Sequence, residues 1–291
     1  MSEASGIRSV GLVVHPKRDI DRALDAVRTW ADEHNVRVGQ VSISGQERRV
    51  ADQVEADDCD LLLAIGGDGT ALAALHASAE ASCAVLGIAC GSIGALTSVT
   101  NDHTSWALDE VAAGRWSARS LPAIELGGDP PRCALNDISV VRAGGGQVTL
   151  AIWVDDDLYG RVAGDGAVVS TPMGSSAYTM AAGGPLLVTE CESFVVTPIA
   201  PHGGSVPPLV VGSAGRLRFE VDPGHGGMRL EIDGQTAEAP GEVLEIARRD
   251  DYATLVGLRG EDTLLAGLRR RGLVLDSPRA TLREKRGVRP G

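Results

Sequence analysis

Three short, almost wholly apolar runs near the start constrain the fold most: Ser9–His15 (SVGLVVH), Asp60–Ile65 (DLLLAI) and Ala84–Ile88 (AVLGI). A strand that shows water no polar face is covered on both sides, the usual state of parallel strands in α/β domains. Helical patterns lie between these runs. In Asp19–His34 the apolar residues Ile20, Ala23, Leu24, Val27 and Ala31 fall on one face at helical spacing. Asp19 and Asp21 suit the positive end of its dipole. Val36–Ser44 reads as a second strand and Ala71–Glu80 as a second helix. Alternating strand and helix predicts an α/β N-terminal domain with an open Rossmann-like sheet.

The pattern changes at about Ser120. Gln147–Val154 alternates Val148, Leu150, Ile152 and Val154, and Asp155, Asp156 and Asp157 follow as a turn. Leu217, Phe219 and Val221 alternate likewise, as do Met228, Leu230 and Ile232, with the loop Asp222–Gly227 between them. This predicts an all-β, β-sandwich-like C-terminal domain. Leu264–Arg271 turns helical again, as a C-terminal segment returning to the first domain. For 291 residues, two domains are expected: an α/β domain over 1–119 with 258–291, and a β-rich domain over 120–257.

A formal charge of −12 disfavours nucleic acid and anionic membrane as partners. The end of the chain is nonetheless basic, with Arg269, Arg270, Arg271, Arg279, Arg283, Lys285, Arg286 and Arg289. A solvated helix face and tail is the simpler reading, and a local anion site the alternative. The five cysteines form no CxxC pair, as expected of thiols in a reducing cytoplasm. No HExxH spacing points to a dedicated metal cage. No run reaches the roughly 18–20 apolar residues of a membrane span, and the N-terminus has no signal-peptide pattern.

Three segments carry chemistry. Gly66-Gly67-Asp68-Gly69-Thr70 follows a buried strand and opens a helix, where glycines admit an anion to the backbone. It is neither GxGxxG nor a Walker A loop. Asp68 among the glycines would bind a magnesium ion or accept a proton from an attacking hydroxyl, or else cap the helix. The second segment runs from Gly164-Asp165-Gly166 through Ser170–Tyr178 to Ala182-Gly183-Gly184-Pro185. Its small residues and hydroxyls suit a polar ligand, with Tyr178 to stack on a planar base. The third, Asn136-Asp137, has the donors and acceptors for a ribose or an amide, or is an ordinary turn.

Together with Gly87–Thr97 (GIACGSIGALT), Thr197–His202 and Ile232-Asp233-Gly234-Gln235, these segments resemble the NAD kinase family, over roughly residues 60–240. The glycine-aspartate motif is shared with diacylglycerol and sphingosine kinases. The Ser-Thr-Pro to Gly-Gly-Pro block is far more specific. The resemblance implies a nucleotide-binding first domain, an NAD-binding second one and a site between them. It implies ATP or polyphosphate as donor, a divalent cation such as Mg2+, and the 2′-hydroxyl of the adenosine ribose of NAD as acceptor. By carry-over Asp68 is the general base, flanked by Gly66, Gly67, Gly69 and Thr70. Asn136 and Asp137 hold the nicotinamide-side ribose and amide, and Asp165 the nicotinamide end. Gly166, Thr171, Ser176, Ala177 and Tyr178 line the dinucleotide site. A homodimer or homotetramer is implied too.

Three positions depart from the family pattern: Asp137 stands for the usual Glu, Met173 for Ser or Thr, and Gly87-Ile88-Ala89 for Gly-Val-Asn. All fall on the acceptor side. The readings that follow are an NAD kinase, a family kinase for another nucleoside, dinucleotide or polyol acceptor, and a nucleotide sensor without turnover. Retention of Asp68 and Thr70 speaks against the last.

Overall fold

The computed structural model describes residues 6–43, 47–81 and 83–285. The chain divides into two compact units, Met1–Arg119 with Leu255–Gly291, and Ser120–Thr254. The first unit contains β1 (Ser9–Val14), α1 (Asp21–His34), β2 (Arg37–Val41), β3 (Gln53–Val54), β4 (Leu61–Gly66), α2 (Asp68–Ala81), β5 (Ala84–Ala89), β6 (Val99–Thr100) and α3 (Thr104–Ala112). Its strands pair in parallel in the order β6-β5-β4-β1-β2-β3. Every residue of β1 and β4 is buried, so the absence of polar alternation in the sequence has its physical cause.

Helix α1 buries the stripe Ala23, Leu24, Val27 and Ala31, with Ile20 just ahead of it. It starts two residues later than its pattern suggests: the Ile20 carbonyl accepts the first helical bond, from the Leu24 N–H at 2.9 Å, with no side-chain cap, while Asp19 just before it accepts the Asp21 N–H at 3.1 Å. Asn35 ends it in the left-handed conformation, φ 55°. Trp30 is also buried and donates its indole N–H to Asp109 of α3 at 2.8 Å. Strand β2 is shorter than the run Val36–Ser44, whose last residue lies outside the described residues. Along the chain the strands are added on one side of β1 and then, from β4, on the other. The junction of β1 and β4 is therefore the switch point, the usual ligand crevice of an open α/β sheet at the carboxyl ends of its strands.

The second unit is two antiparallel sheets around one core. Its strands are β7 (Ser117–Leu126), β8 (Arg132–Ala134), β9 (Asp137–Arg142), β10 (Val148–Val154), β11 (Asp157–Gly164), β12 (Gly166–Ser170), β13 (Ser193–Ile199), β14 (Leu209–Gly212), β15 (Arg216–Asp222), β16 (Met228–Ile232), β17 (Gln235–Ala237) and β18 (Val243–Gly257), with the short helix α4 (Tyr178–Ala181). One sheet has the order β11-β10-β15-β18, with β7 on β18 and β8 on β7; the other runs β14-β13-β12-β9-β16-β17. The alternating residues Val148, Leu150, Ile152, Leu217, Phe219 and Val221 of the first sheet meet Ile138, Val140, Val169, Phe194 and Val196 of the second in one cluster. That is the packing of a β-sandwich.

Two C-terminal helices, α5 (Leu264–Arg270) and α6 (Pro278–Lys285), belong to the first unit. Thr263 caps α5 through the Ala266 N–H. The basic stretch is partly paired: Arg269 meets Asp276 at 2.6 Å, and Arg270 meets Asp262 at 2.5 Å and donates to the Ile93 carbonyl at 3.0 Å. Arg286 and Arg289 lie outside the described residues. Among the described residues no helix is long and apolar enough to cross a membrane.

Candidate active site

In the first unit β4 ends at Gly66 and α2 begins at Asp68, three residues before the helical periodicity becomes visible in the sequence. The Thr70 and Ala71 N–H groups both donate to the Gly67 carbonyl, at 2.9 and 3.0 Å, which closes the first turn. Asp68 does not cap this helix. Its carboxylate turns to the loop after β5, where Oδ2 accepts the Ala95 N–H at 2.9 Å and Oδ1 the Leu96 N–H at 3.0 Å. The loop approaches so closely that a Cβ on Gly94 would stand 1.9 Å from Asp68 Oδ1, so only glycine fits there. Thr97, itself buried, accepts the Gly94 N–H at 2.8 Å. The segment Gly87–Thr97 thus has a physical task, to clamp the Asp68 carboxylate. Each carboxylate oxygen keeps a lone pair for a further donor.

Sequence reasoning missed Arg18. Its Nη1 lies 3.0 Å from the position a Cβ on Gly67 would take, so the glycine turn has a guanidinium beside it. The contact joins residues far apart in sequence, and no local pattern marks it.

In the second unit Asp233 is the organiser. It lies just after β16 at φ 49°. Its Oδ2 accepts the Leu135 N–H at 2.9 Å, and its Oδ1 accepts those of Asn136 and Asp137 at 2.6 and 3.1 Å. The Asp233 N–H returns to the Asp137 carbonyl at 2.9 Å. Asn136 is held from the other side by the Thr171 N–H, which donates to its carbonyl at 3.0 Å. Thr171 is buried, and its hydroxyl donates to the Leu135 carbonyl at 2.6 Å and accepts the Gly174 N–H at 3.0 Å. The Thr171 hydroxyl is thus engaged inside the protein, where it braces the Leu135–Asn136 backbone and the Gly174 turn. Gly174 is forced by the same contact, since a Cβ there would stand 1.9 Å from the Asn136 carbonyl oxygen. Gly166 is buried within β12 opposite Val141 and is likewise part of the scaffold.

Asp137 is buried. Burial, then the carboxylates of Asp233 and Glu231, push its pKa up to about 7. Tyr178 shares this neighbourhood. Its phenol is pushed up by burial and by Glu231, Asp137 and Asp165, against a smaller opposing effect of Arg229, so it remains a hydrogen-bond donor at neutral pH. Asp165 pairs with Arg142 at 2.6 Å. Ser176 is half-buried with its hydroxyl on the Met173 carbonyl at 3.2 Å, and Ala177 is exposed. The structure therefore gathers Asn136, Asp137 and Tyr178 into one polar patch of the second unit, while Gly66, Gly67, Asp68, Gly69 and Thr70 form one turn of the first.

The raised pKa has a measurable consequence. Asp137 binds its proton more tightly folded than unfolded, so its contribution to stability is full below pH 4 and is lost as pH rises through about 7. Asp137→Asn removes this dependence. Between pH 5 and 8 the wild type is expected to lose up to a few kcal/mol that the variant keeps, at about 1.36 kcal/mol per pKa unit. Urea unfolding of both proteins across this range checks it. Parallel curves would show that Asp137 titrates normally.

A parallel α/β unit with a glycine-aspartate turn at its switch point, and an antiparallel unit with a buried carboxylate patch, define a nucleotide-handling enzyme class. Comparison with known proteins agrees. Residues 10–116 match the ATP-NAD kinase N-terminal domain and residues 135–258 the ATP-NAD kinase C-terminal domain. The NAD kinase of Chlorobium limicola is 31% identical over 245 residues, 80% of this chain and 85% of that protein. That of Chlorobaculum tepidum is 34% identical over 204 residues, covering 68% and 71%, and that of Chlorobium phaeobacteroides 30% identical over 267 residues, covering 87% and 92%. The fold is also that of yeast NADH kinase solved with NADH (TM-score 0.76, 20% identity, 94% of this chain and 89% of that one). An NAD kinase from Archaeoglobus fulgidus solved with ATP shares it too (TM-score 0.69, 22% identity, 91% and 96%). The chain belongs to the NAD kinase family.

Proposed function

We propose that this protein transfers the γ-phosphoryl group of ATP to the 2′-hydroxyl of the adenosine ribose of NAD, giving NADP and ADP. The observation that carries the reading is the clamped Asp68 carboxylate at the switch point, in a chain with both NAD kinase domains. In the reaction the 2′-hydroxyl proton passes to Asp68, the oxygen forms a bond to the γ-phosphorus, and the bond from that phosphorus to the β–γ bridging oxygen breaks. Positioning and electrostatics supply most of the acceleration in such transfers. The backbone of Gly67 and Gly69 lies where phosphate oxygens would approach the start of α2.

On the acceptor side, the side-chain amide of Asn136 and the carboxylate of Asp137 would hydrogen-bond the nicotinamide-side ribose and amide. Tyr178, with Ser176 and Ala177, would line the dinucleotide, and Asp165 would meet the nicotinamide end. Thr171 and Gly166 support these groups from beneath. The shorter reach of Asp137, compared with glutamate, and the thioether of Met173 make the acceptor preference the property to measure.

A divalent cation such as Mg2+ fits this donor set only as a passenger of the nucleotide. Among the described residues no cluster of three or more His, Cys, Asp or Glu side chains is placed to hold one, and magnesium commonly keeps waters and substrate phosphates as ligands. When bound, it would neutralise phosphate charge. We also infer a cytoplasmic, homodimeric or homotetrameric enzyme with no nucleic-acid partner, from the free thiols, the acidic charge and the family habit.

The test is an acceptor panel. The protein is incubated with magnesium and ATP, or polyphosphate, and with NAD, NADH, adenosine or a polyol, and transfer to each is measured. NAD is expected to be phosphorylated in preference to the nucleoside and the polyol. Faster transfer to either of those would replace NAD as the acceptor.

A further inference from the structure

We propose that Arg18 grips the phosphate chain of the nucleotide donor, in a subsite formed by the loop after β1 and the Gly66–Thr70 turn. The inference deepens the kinase reading above and rests on it. The loop and the turn leave the carboxyl ends of β1 and β4, the neighbouring strands at the switch point of the sheet. The Arg18 guanidinium lies across that junction. Its Nη1 is 3.0 Å from the Cβ position of Gly67 and 3.6 Å from that of Gly91. The two glycines leave the space around it clear.

The loop backbone is fixed while the guanidinium is left free. His15 Nδ1 accepts the N–H groups of Lys17 and Arg18 at 3.1 and 3.0 Å. Arg48 Nη1 donates to the Arg18 carbonyl at 2.6 Å and more weakly to that of His15 at 3.5 Å, and its other nitrogen pairs with Asp21 at 3.4 Å. By contrast, the Arg18 side chain makes a single long hydrogen bond, from Nη1 to the Cys90 carbonyl at 3.4 Å. Among the described residues no carboxylate pairs with it. A guanidinium carries five donors, so most of them are unused, and the side chain is exposed.

Charge gives the arrangement a purpose. Asp68 opens α2 beside the position where phosphates would sit, and its carboxylate repels them. A cation on the other flank of Gly67 offsets that repulsion without neutralising Asp68 through direct contact. Arginine suits the task, because its planar fork matches two phosphate oxygens at once. Lys17, exposed on the same loop, adds charge without that geometry.

The test is calorimetric binding of adenosine, AMP, ADP and ATP, with magnesium, to the wild type, Arg18→Gln and Arg18→Lys. In the wild type, affinity should rise with phosphate number. Arg18→Gln is expected to lose roughly 10- to 100-fold for ATP, the range of a charge-assisted hydrogen bond, and nothing for adenosine. Arg18→Lys should recover part of the loss. Unchanged ATP affinity in Arg18→Gln, or an equal loss for adenosine, would overturn the proposal, as would a wild type that binds no ATP. Binding needs no acceptor, so the result stands apart from the acceptor panel. If the wild type makes no NADP while the ATP-specific loss persists, the acceptor reading falls and the subsite stands. If NADP forms from polyphosphate alone and Arg18→Gln is silent, the reverse holds.

Discussion

Asp68→Asn is expected to lower NADP formation by about 10²–10⁴-fold, the usual worth of general-base assistance, with ATP still bound. Two effects combine in this variant. The amide has almost no basicity, so the proton of the attacking hydroxyl has no acceptor at that place. The clamp also weakens. Both carboxylate oxygens accept an N–H, from Ala95 and Leu96, whereas an asparagine offers one oxygen and sets an NH2 against the other donor. With Gly94 already packed on this carboxylate, the loop has little room to adjust. The two effects are separated by Asp68→Glu, which keeps the charge and the two acceptors but moves them by one methylene. If Glu retains most of the thermal stability and little of the activity, position and not mere charge sets the rate. A drop of less than about tenfold in Asp68→Asn would remove Asp68 from the role of base.

Asp233→Ala should be the most destabilising substitution in the second unit. It strips the acceptor from three consecutive backbone N–H groups, Leu135, Asn136 and Asp137. Hydrogen bonds to charged groups contribute about 1.5–3 kcal/mol each, and the losses overlap, so about 3–5 kcal/mol is expected overall. Alanine at φ 49° adds strain that asparagine tolerates better. Asp233→Asn should therefore be milder, because one oxygen can still serve Asn136 and Asp137. Both variants also remove a negative charge that raises the Asp137 pKa, so that pKa should fall. Chemical denaturation gives the stabilities, and NAD titration of the folded Asn variant shows whether loosening Asn136 and Asp137 weakens the acceptor site. Stability within about 1 kcal/mol of wild type in Asp233→Ala would contradict the bracing role.

Much of this was legible in the sequence where the physical cause is local. The apolar runs that became β1, β4 and β5, the stripe of α1 and the alternation of β10 and β15 all reflect burial on one or both faces. Helix α3, with the stripe Thr104, Ala107, Leu108 and Val111, has only nine residues, too few for its period to stand out. Helix α2 starts before its periodicity becomes visible because Gly67, Asp68 and Gly69 have no helical preference of their own. The carbonyl of Gly67 and the contacts of Asp68 decide it. The segment Gly87–Thr97 was visible only as family likeness, and its task emerged from two hydrogen bonds to Asp68. Asp233, Arg18 and the buried Thr171 hydroxyl act through residues distant in sequence. A single chain without pairing information gives such contacts no signature.

Phosphoryl transfer from ATP to NAD with Asp68 as base is measured in a single-turnover reaction of the full chain with magnesium, γ-labelled ATP and NAD. The label is followed into NADP identified by an NADP-specific dehydrogenase, with Asp68→Asn beside it. Label is expected in the 2′-phosphate of NADP from the wild type and almost none from the variant. Label that appears only in inorganic phosphate, or equal NADP from both proteins, would contradict it.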